Sequence, residues 1–507
     1  MSKHRIGMAV LAIALLSMVS IAPAPAQAQG YGWSEPFRLS SPAGMASEAT
    51  LAADQYGYVH CFWSETLFEN QHTVLQYSRF DGGTWSAPND IRITSRDLRS
   101  ISAVVDQYGT LHIVWIETLF GANGDVYYTH APASNALSAQ NWAPRIRIPI
   151  PAGIIQFQVD SKGVFHILYV NRGEELGVYY VRSEDQGETW SEPLWLDRDI
   201  LPGHTPDSLH FELDENDGPH AVWFYGALEH GERPDWVRYI HSLDGGDTWS
   251  VPFMIDQYVE GGHHNLTNAG PVMTVQGKTV HVIWAGGELS SRYHRFSTDA
   301  GLTWSPPNRI LGELHGQAGD GLAVDGAGRV HYLAQIRYPI GIYETTWDKT
   351  QWTPASLVYL IAQEDALPVP ETELDESVQG QFGDRVHAHQ TRPVVQAGNR
   401  LVLTFTDGPA DPNRRLFVMY RTLPDTAPLE IIPTPTPTAT LIPPPSPTPT
   451  QPEPTATATA TAPSMEVAGA EPNEIPKADS AFQFGLVPVL LLLLGTFVFR
   501  WLYNKKP

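Results

Sequence analysis

The chain has 507 residues, of which 17% are charged, and a formal net charge of −23. This balance excludes the basic surface that nucleic-acid binding requires, and it disfavours docking on acidic membranes. The single cysteine, Cys61, excludes a disulfide within the chain, and we interpret it as a small buried hydrophobe.

Residues 1–28 have the organisation of a secretory signal. A charged start at Lys3–Arg5 precedes an apolar core at Ile6–Ile21, and Ala26-Gln27-Ala28 provides a small-residue cleavage site. We therefore expect an exported protein whose mature domain begins near residue 29.

Repeating units fill residues 29–430. Each unit opens with a pattern related to Asp-x-x-Gly-x-x-His and an apolar run, at Asp54, Asp106, Asp160, Asp214 and Asp325, and in decayed form near Gly277 and Gly398. A Tyr-rich strand follows, and six units close on Trp-Ser-x-Pro or a relative of it. Short apolar runs bounded by turns predict strands. The seventh closing strand is GWSEPFRL at Gly32–Leu39, so we expect the N-terminus to complete the last unit.

Three units carry one octapeptide, Ser-x-Asp-x-Gly-x-Thr-Trp, before the closing strand. The Asp can accept backbone N–H bonds within its own turn, the Gly allows positive φ, and the Trp should bury between neighbouring sheets. We interpret these positions as structural, not catalytic: Ser183, Asp185, Gly187, Trp190, Ser242, Asp244, Gly246, Trp249, Ser297, Asp299, Gly301 and Trp304.

The octapeptide resembles the Asp-box, or bacterial neuraminidase repeat, of sialidase-like β-propellers. The resemblance implies an all-β fold, and the unit count predicts a seven-bladed propeller of four-stranded blades closed by the N-terminal strand. Sialidases proper have six blades, so six remains the alternative if the seventh unit is an appendage.

One histidine recurs at the same strand position in six units. Six copies indicate a structural role, for which we expect a hydrogen bond between neighbouring blades: His60, His112, His166, His220, His281 and His331. Blades one and two also share Trp-x-Glu-Thr-Leu-Phe, at Trp63–Phe68 and Trp115–Phe120, which we interpret as a blade duplication.

The composition changes abruptly after the repeats. Residues 431–480 are rich in Pro and Thr and predict a disordered, extended stalk. Residues 482–503 include the apolar run Phe484–Phe499 and predict a transmembrane helix, and the basic tail 504–507 predicts a cytoplasmic C-terminus. We therefore expect a single-pass protein at the cell surface with its propeller outside.

By resemblance to sialidases, a site should lie on the face opposite the octapeptide turns. The loops of that face are rich in polar residues, and we select as candidates His204, Asp207, His263, His264, His315, Asp320, Asp384, Arg385, His387, His389 and Arg392.

Three functions compete for this face. The favoured one is binding of an extracellular glycan or protein ligand, with no cofactor. The second is exo-sialidase or related glycosidase chemistry, which by resemblance needs an arginine cluster and a Tyr–Glu pair. Arg147-Ile148-Pro149 matches a sialidase motif but falls in the second blade instead of the first, and no catalytic residue is assigned. The third is a metal site of histidines and carboxylates, against which we favour histidines that simply line polar loops.

Overall fold

The computed structural model of the protein describes residues 32–67, 72–119, 123–197, 204–227, 236–257, 270–286, 290–316, 319–361, 391–407 and 414–434. Within these ranges the chain forms 28 strands in seven antiparallel four-stranded sheets. Each sheet is one blade, and its strands follow one another in the chain.

The blade boundaries follow the predicted units. Blades 1 to 3 consist of β2 (Gly44–Ala53), β3 (Val59–Leu67), β4 (His72–Phe80) and β5 (Asn89–Thr94); β6 (Asp97–Val105), β7 (Thr110–Thr118), β8 (Gly124–Pro132) and β9 (Ile146–Ala152); and β10 (Ile154–Val159), β11 (Phe165–Asn171), β12 (Gly177–Ser183) and β13 (Leu194–Asp197).

Blades 4 to 6 repeat the same order. They consist of β14 (His204–Leu213), β15 (Pro219–Ala227), β16 (Trp236–His241) and β17 (Phe253–Gln257); β18 (Val272–Gln276), β19 (Thr279–Gly286), β20 (Ser291–Ser297) and β21 (Asn308–Ile310); and β22 (Asp320–Val324), β23 (Val330–Arg337), β24 (Ile340–Trp347) and β25 (Ser356–Tyr359).

Blade 7 closes the ring with both ends of the domain. It combines β26 (Arg392–Gln396), β27 (Arg400–Asp407) and β28 (Arg415–Thr422) with the N-terminal strand β1 (Phe37–Arg38). Strand β1 pairs antiparallel with β28, and the inner strands contact one another around the whole ring, including β26 with β2. The seven-bladed prediction and the N-terminal closing strand are confirmed, and the six-bladed alternative is wrong.

Apolar side chains pack between blades, which is why the second strands are nearly continuous apolar runs. Trp63, Trp115, Trp223 and Trp284 are fully buried at equivalent positions. Cys61 is also fully buried, and burial raises the pKa of its thiol, in accordance with a packing role.

Successive strands are antiparallel, so their connections alternate between two faces. We call the face with the first-to-second and third-to-fourth strand connections the turn face; it carries the octapeptide turns. The opposite face, with the second-to-third strand loops and the connections between blades, is called the loop face.

The octapeptide turns are held by the same hydrogen bonds in all three copies. In the second copy, the Asp244 carboxylate accepts bonds from the Ser242 hydroxyl at 2.7 Å and from the Thr248 backbone N–H at 2.8 Å. Hydrogen bonds from the Thr248 and Ser242 side chains and the Thr248 N–H lower the pKa of Asp244 to about 2. Trp249 is half-buried and packs edge-on against Tyr180 of the preceding blade, at 5.0 Å between ring centroids.

The expected bond from the repeated histidines to a neighbouring blade is wrong. In blade 1, His60 bonds to Tyr77 at 2.8 Å and to Asp54 at 3.2 Å, and all three residues belong to that blade. The turn that supplies the Asp and the strand that supplies the Tyr flank the histidine strand, so the partners are local. The tyrosines make the contact between blades, as where the Tyr239 hydroxyl donates to the carbonyl of Ala300 at 3.5 Å.

Residues 423–434 follow β28 and form a segment on the turn face that we call the C-terminal strap. It contacts the first-to-second strand turns of blades 6, 7 and 1 in succession. The Thr426 hydroxyl donates to Asp325 at 3.0 Å, and the backbone N–H groups of Leu429 and Ile432 donate to the carbonyls of Ala397 and Gln55. The strap therefore crosses the joint between the last and first blades.

The predicted signal, the transmembrane segment and most of the stalk lie outside the described residues. Within the described ranges, no helix has the length and apolar character needed to span a bilayer.

Candidate functional site

Each inner strand is the edge of its sheet and leaves backbone groups without a ladder partner. Side chains of the preceding blade satisfy many of these groups. At the junction of blades 2 and 3, the hydroxyl oxygens of Ser100 and Ser102 accept hydrogen bonds from the N–H groups of Ile155 and Phe157 at 2.8 and 3.1 Å. Polar side chains on the inner strands thus join the blades around the axis.

At the junction of blades 4 and 5, two titratable residues make bonds of the same kind. By strand register His210 occupies the place of Ser102, and Glu212 occupies that of Val104, nearer the turn face. His210 Nδ1 accepts a bond from the Met273 N–H at 2.6 Å, and Glu212 Oε2 accepts one from the Val275 N–H at 2.8 Å. His210 Nε2 lies 3.8 Å from Glu212 Oε1, which is too long for a hydrogen bond. Each side chain is 28% exposed, so both remain open to solvent near the axis although protein surrounds them.

The surroundings shift the pKa values of these two residues in opposite directions. Burial, assisted by the positive charge of Arg392, lowers the pKa of His210 to about 3. Burial raises the pKa of Glu212 to about 7, against hydrogen bonds from the Val275 N–H and the Thr274 side chain that favour the carboxylate. At neutral pH, His210 is therefore neutral, and Glu212 is close to its midpoint.

Arg392 begins the inner strand of blade 7 at the loop face and lies within electrostatic range of two other blades. Burial lowers the pKa of its guanidinium, and the carboxylate of Glu48 opposes that shift. Glu48 in turn accepts a bond from the Ser100 N–H at 3.0 Å. The guanidinium of Arg392 also donates to the Asp320 carbonyl at 3.5 Å. We call Glu48, His210, Glu212 and Arg392 the axial cluster.

Backbone bulges shape this end of the inner strands. The pairing shifts register in blades 1, 2 and 4, and a residue with positive φ lies within each shift: Glu48, Ser100 and Ser208, with φ of 55°, 50° and 47°. A bulge redirects the side chains of a strand and interrupts its regular pairing. Of the axial cluster, Glu48 lies within such a shift, His210 directly follows one, and Glu212 lies in the regularly paired end of β14 near the turn face.

Most of the candidate residues chosen from sequence lie outside the described residues: His263, His264, Asp384, Arg385, His387 and His389. His204 is placed as the first residue of β14. Among the described residues, no group of three or more His, Cys, Asp or Glu side chains is arranged to hold a metal ion.

Two of the described candidates lie on the loop face away from the axial cluster. Asp207 is partly exposed and forms an ion pair with Arg172 of blade 3 at 2.8 Å. His315 stacks on Tyr338, with 5.3 Å between ring centroids, and donates its Nδ1–H to the Glu313 carbonyl at 2.8 Å. The Tyr338 ring is 51% exposed and offers an aromatic surface to solvent.

Asp320, selected as a ligand residue, is instead buried in an ion pair between blades 5 and 6. Its carboxylate binds Arg292 Nε at 2.6 Å and accepts the Tyr332 hydroxyl at 2.7 Å. Both charged side chains are fully buried. Because these partners already occupy the carboxylate, the structure supports a packing role for this residue.

Sequence reasoning did not select Glu48 or Glu212. The available signal was the polar alternation of inner strands that are otherwise apolar, as at His210 and Glu212 in β14 or Ser100 and Ser102 in β6. This alternation places polar side chains on one side of the strand, toward the next blade.

The sialidase resemblance implies a cluster of arginines at the site. The axial cluster, as defined from the described residues, contains one arginine, Arg392. Arg147 of the Arg-Ile-Pro sequence lies on β9, the outer strand of blade 2. A group of arginines gathers there around Glu117 and Asp125: Arg92, Arg96, Arg145 and Arg147.

No family model matches the chain, and no curated protein matches it. Solved structures with a similar fold include a protein of unknown function from Dyadobacter fermentans (10% identity, 77% of this chain and 99% of that chain, TM-score 0.45). They also include the polysaccharide lyase Uly1 (11%, 74% and 89%, 0.47) and a Trypanosoma rangeli sialidase (10%, 77% and 59%, 0.39). The similar structures thus include sialidases and polysaccharide lyases.

Proposed function

We propose that the protein is a surface-anchored propeller that binds an extracellular carbohydrate on its loop face, at the axial cluster. The observation that carries this proposal is that inner strands of blades 7, 1 and 4 carry a guanidinium, two carboxylates and an imidazole, with Arg392 within electrostatic range of His210 and Glu48 and with His210 beside Glu212. Ligand sites are typically concave and combine a few placed polar groups in this way.

The chemistry of this face suits a sugar. Arg392 offers several N–H donors, while Glu48 and Glu212 offer acceptors, so hydroxyl groups of either polarity can be satisfied. The exposed ring of Tyr338, steadied by His315 beneath it, provides an apolar surface on the same face for the C–H groups of a sugar ring.

Anchoring rests on the sequence of the two ends. A signal at residues 1–28 and an apolar segment at residues 482–503 fit export and retention in a membrane, with the C-terminus cytoplasmic. Thr434, the last described residue, lies on the turn face, where the hydroxyl of Tyr58 contacts it. The described chain therefore ends on the turn face, opposite the loop face.

The test is a glycan-binding screen of the purified full-length protein, followed by dissociation constants for the best ligand. We expect Arg392→Gln to weaken binding by about tenfold or more, because it removes charge-assisted hydrogen bonds. Arg309→Gln makes the same charge change on the exposed outer strand of blade 5 and serves as the matched control. Equal affinities of the Arg392 variant and the parent would reject the axial cluster as the site.

The alternative is an exo-sialidase or related glycosidase. Turnover of a fluorogenic sialoside by the same preparation would favour it, and loss of that turnover with a chelator would point to the histidine-rich loops instead.

A further inference from the structure

A groove opens on the loop face at the outer rim of blade 2, away from the axial cluster. Its cavity volume is about 510 Å³, and its walls carry Arg96, Arg147 and Asp125 beside apolar side chains that include Leu119 and Ile150. The groove thus combines charged groups with an apolar surface of a size that can accept a sugar unit.

Two carboxylates hold the arginines in place. Glu117 is buried and binds Arg92 Nε at 3.1 Å and Arg145 Nη1 at 2.7 Å. Asp125 binds Arg96 Nη1 at 2.8 Å and Arg147 Nη2 at 2.7 Å.

Within the groove wall, Arg96 and Arg147 balance Glu117 and Asp125. Arg92 and Arg145 also bind Glu117 from outside the wall, so this rim of blade 2 has two more guanidinium groups than carboxylates, in a chain whose net charge is −23. A local excess of guanidinium groups on an acidic protein favours the approach of anions there.

Blade 1 shows that the fold does not require this arrangement. Both blades carry the Trp-x-Glu sequence, and in each the indole N–H donates to the glutamate, from Trp63 to Glu65 and from Trp115 to Glu117. The strand register shows which residues correspond in the two sheets.

Glu117 of the groove corresponds to Glu65 of blade 1, but Asp125 and Arg147 have no counterparts of the same charge there. Val74 pairs with Glu65 where Asp125 pairs with Glu117, and Asp90 occupies the place of Arg147. The shared Trp–Glu contact is structural, whereas Asp125 and Arg147 distinguish blade 2 from blade 1.

We infer that this groove binds the anionic group, carboxylate or sulfate, of an acidic saccharide, with Arg96 and Arg147 as its ligands. Both acids present paired oxygens that match the planar fork of a guanidinium. The side chain of Arg147 is 60% exposed, so it can reach a ligand while Asp125 fixes its position. The inference rests on the proposed function, because it names the class of saccharide that the loop face takes.

Calorimetric titration of the full-length protein tests this, with three tetrasaccharides as probes: oligogalacturonate, a sulfated galactan and a neutral galactan. We expect at least one acidic probe to bind at least tenfold more tightly than the neutral one, and Arg147→Gln and Arg96→Gln each to weaken that binding by about tenfold. Preference between the two acidic probes separates a carboxylate ligand from a sulfate ligand.

Arg99→Gln is the matched control, because Arg99 is an exposed arginine paired with Asp97 outside the groove. An equal loss of affinity in this control, or unchanged affinity in Arg147→Gln, would overturn the inference. The inference would also be overturned if Arg392→Gln abolished binding of the acidic probes while Arg147→Gln left it intact. That outcome would preserve the proposed function. If no acidic probe binds while the glycan screen finds a neutral ligand, the groove is likewise rejected and the proposed function stands.

Discussion

His210 of the fourth blade accepts a hydrogen bond from the backbone N–H of Met273 in the fifth blade, at 2.6 Å between Nδ1 and N. The imidazole thus completes the hydrogen bonding of an edge strand, and it can do so only while Nδ1 is unprotonated. The stability of the contact between blades 4 and 5 therefore depends on pH through a single side chain.

The first prediction concerns stability in acid. His210 has a pKa of about 3 in the folded protein and an ordinary value of 6.5, so its contribution is present above pH 6.5 and lost as pH falls. At pH 5 the unfolded chain binds a proton that the folded chain excludes, which lowers the free energy of unfolding by about 2 kcal/mol. We expect His210→Gln, which can still accept the Met273 N–H, to reduce the fall in Tm between pH 7 and 5.

The control for this measurement is His315→Gln, which replaces a loop-face histidine whose ring donates to the Glu313 carbonyl of the same connection. The measurement is the calorimetric Tm of the parent, His210→Gln and His315→Gln, each at pH 7 and at pH 5. A fall in Tm that is equally steep in the parent and in His210→Gln would show that this imidazole does not couple the joint to pH.

The second prediction concerns Glu212 and has the opposite sign. Its pKa is raised from 4.5 to about 7, so its contribution to stability is present below pH 4.5 and lost as pH rises through 7. Glu212→Gln keeps an oxygen for the Val275 N–H and cannot ionise. We expect the variant to match the parent at pH 5 and to exceed its stability at pH 9 by about 1–3 kcal/mol.

Denaturant unfolding at the two pH values measures this difference, and Glu313→Gln, at an exposed position on the loop face, is the matched control. Parent and Glu212→Gln curves that coincide at pH 9 would contradict the prediction.

The third prediction compares glycines of two octapeptide turns. Gly187 and Gly301 have nearly the same positive φ, 92° and 88°. A Cβ at Gly301 would lie 2.0 Å from the Tyr239 hydroxyl of the preceding blade, whereas a Cβ at Gly187 meets nothing closer than 3.6 Å. We expect Gly187→Ala to cost about 1 kcal/mol through backbone strain and Gly301→Ala clearly more, because it also separates two blades.

Tyr239→Phe removes the nearest clashing atom but leaves two ring carbons 2.5 Å from the added Cβ, so combining it with Gly301→Ala should restore only a small part of the lost stability. Equal Tm losses for the two glycine variants would show that the contact between blades adds nothing to the backbone effect.

The sequence predicted the ring and its closure because these depend on local turns and on counting units. It could not predict the partner of Asp320, because Arg292 lies in another blade and only the packing of the two sheets brings the charges together. The same limit explains why the repeated histidines were assigned a bond between blades, although their side-chain partners lie in the same blade.

The axial cluster was missed for a related reason. Glu48 and Glu212 lie within predicted strands, whereas the candidate site residues were chosen from predicted loops, where polar residues are conspicuous. An inner strand of a propeller is a special case, since its unpaired edge makes polar side chains useful in the middle of a strand.

The fourth prediction tests the buried pair directly. Arg292→Met leaves the Asp320 carboxylate buried with its charge uncompensated, which should cost about 3–5 kcal/mol. Arg309→Met, on the exposed outer strand of the same blade, is the control. Chemical denaturation measures both, and a similar small effect of the two substitutions would contradict the buried role of Arg292.

The fifth prediction concerns the C-terminal strap. Ending the chain after Leu423 removes the contacts of Thr426, Leu429 and Ile432 with the turns of blades 6, 7 and 1, whereas ending it after Thr436 keeps them. Both variants lack residues 437–507, which include most of the predicted stalk and the apolar segment, so their difference isolates residues 424–436. Three hydrogen bonds and the burial of Thr426 are lost at the joint that closes the ring, and we expect the shorter chain to unfold several degrees earlier. Strand β1 pairs with β28 at only two residues, so we expect closure of the ring to depend on the strap as well. If the shorter chain had the same Tm as the longer one, β1 alone would be sufficient to close the ring.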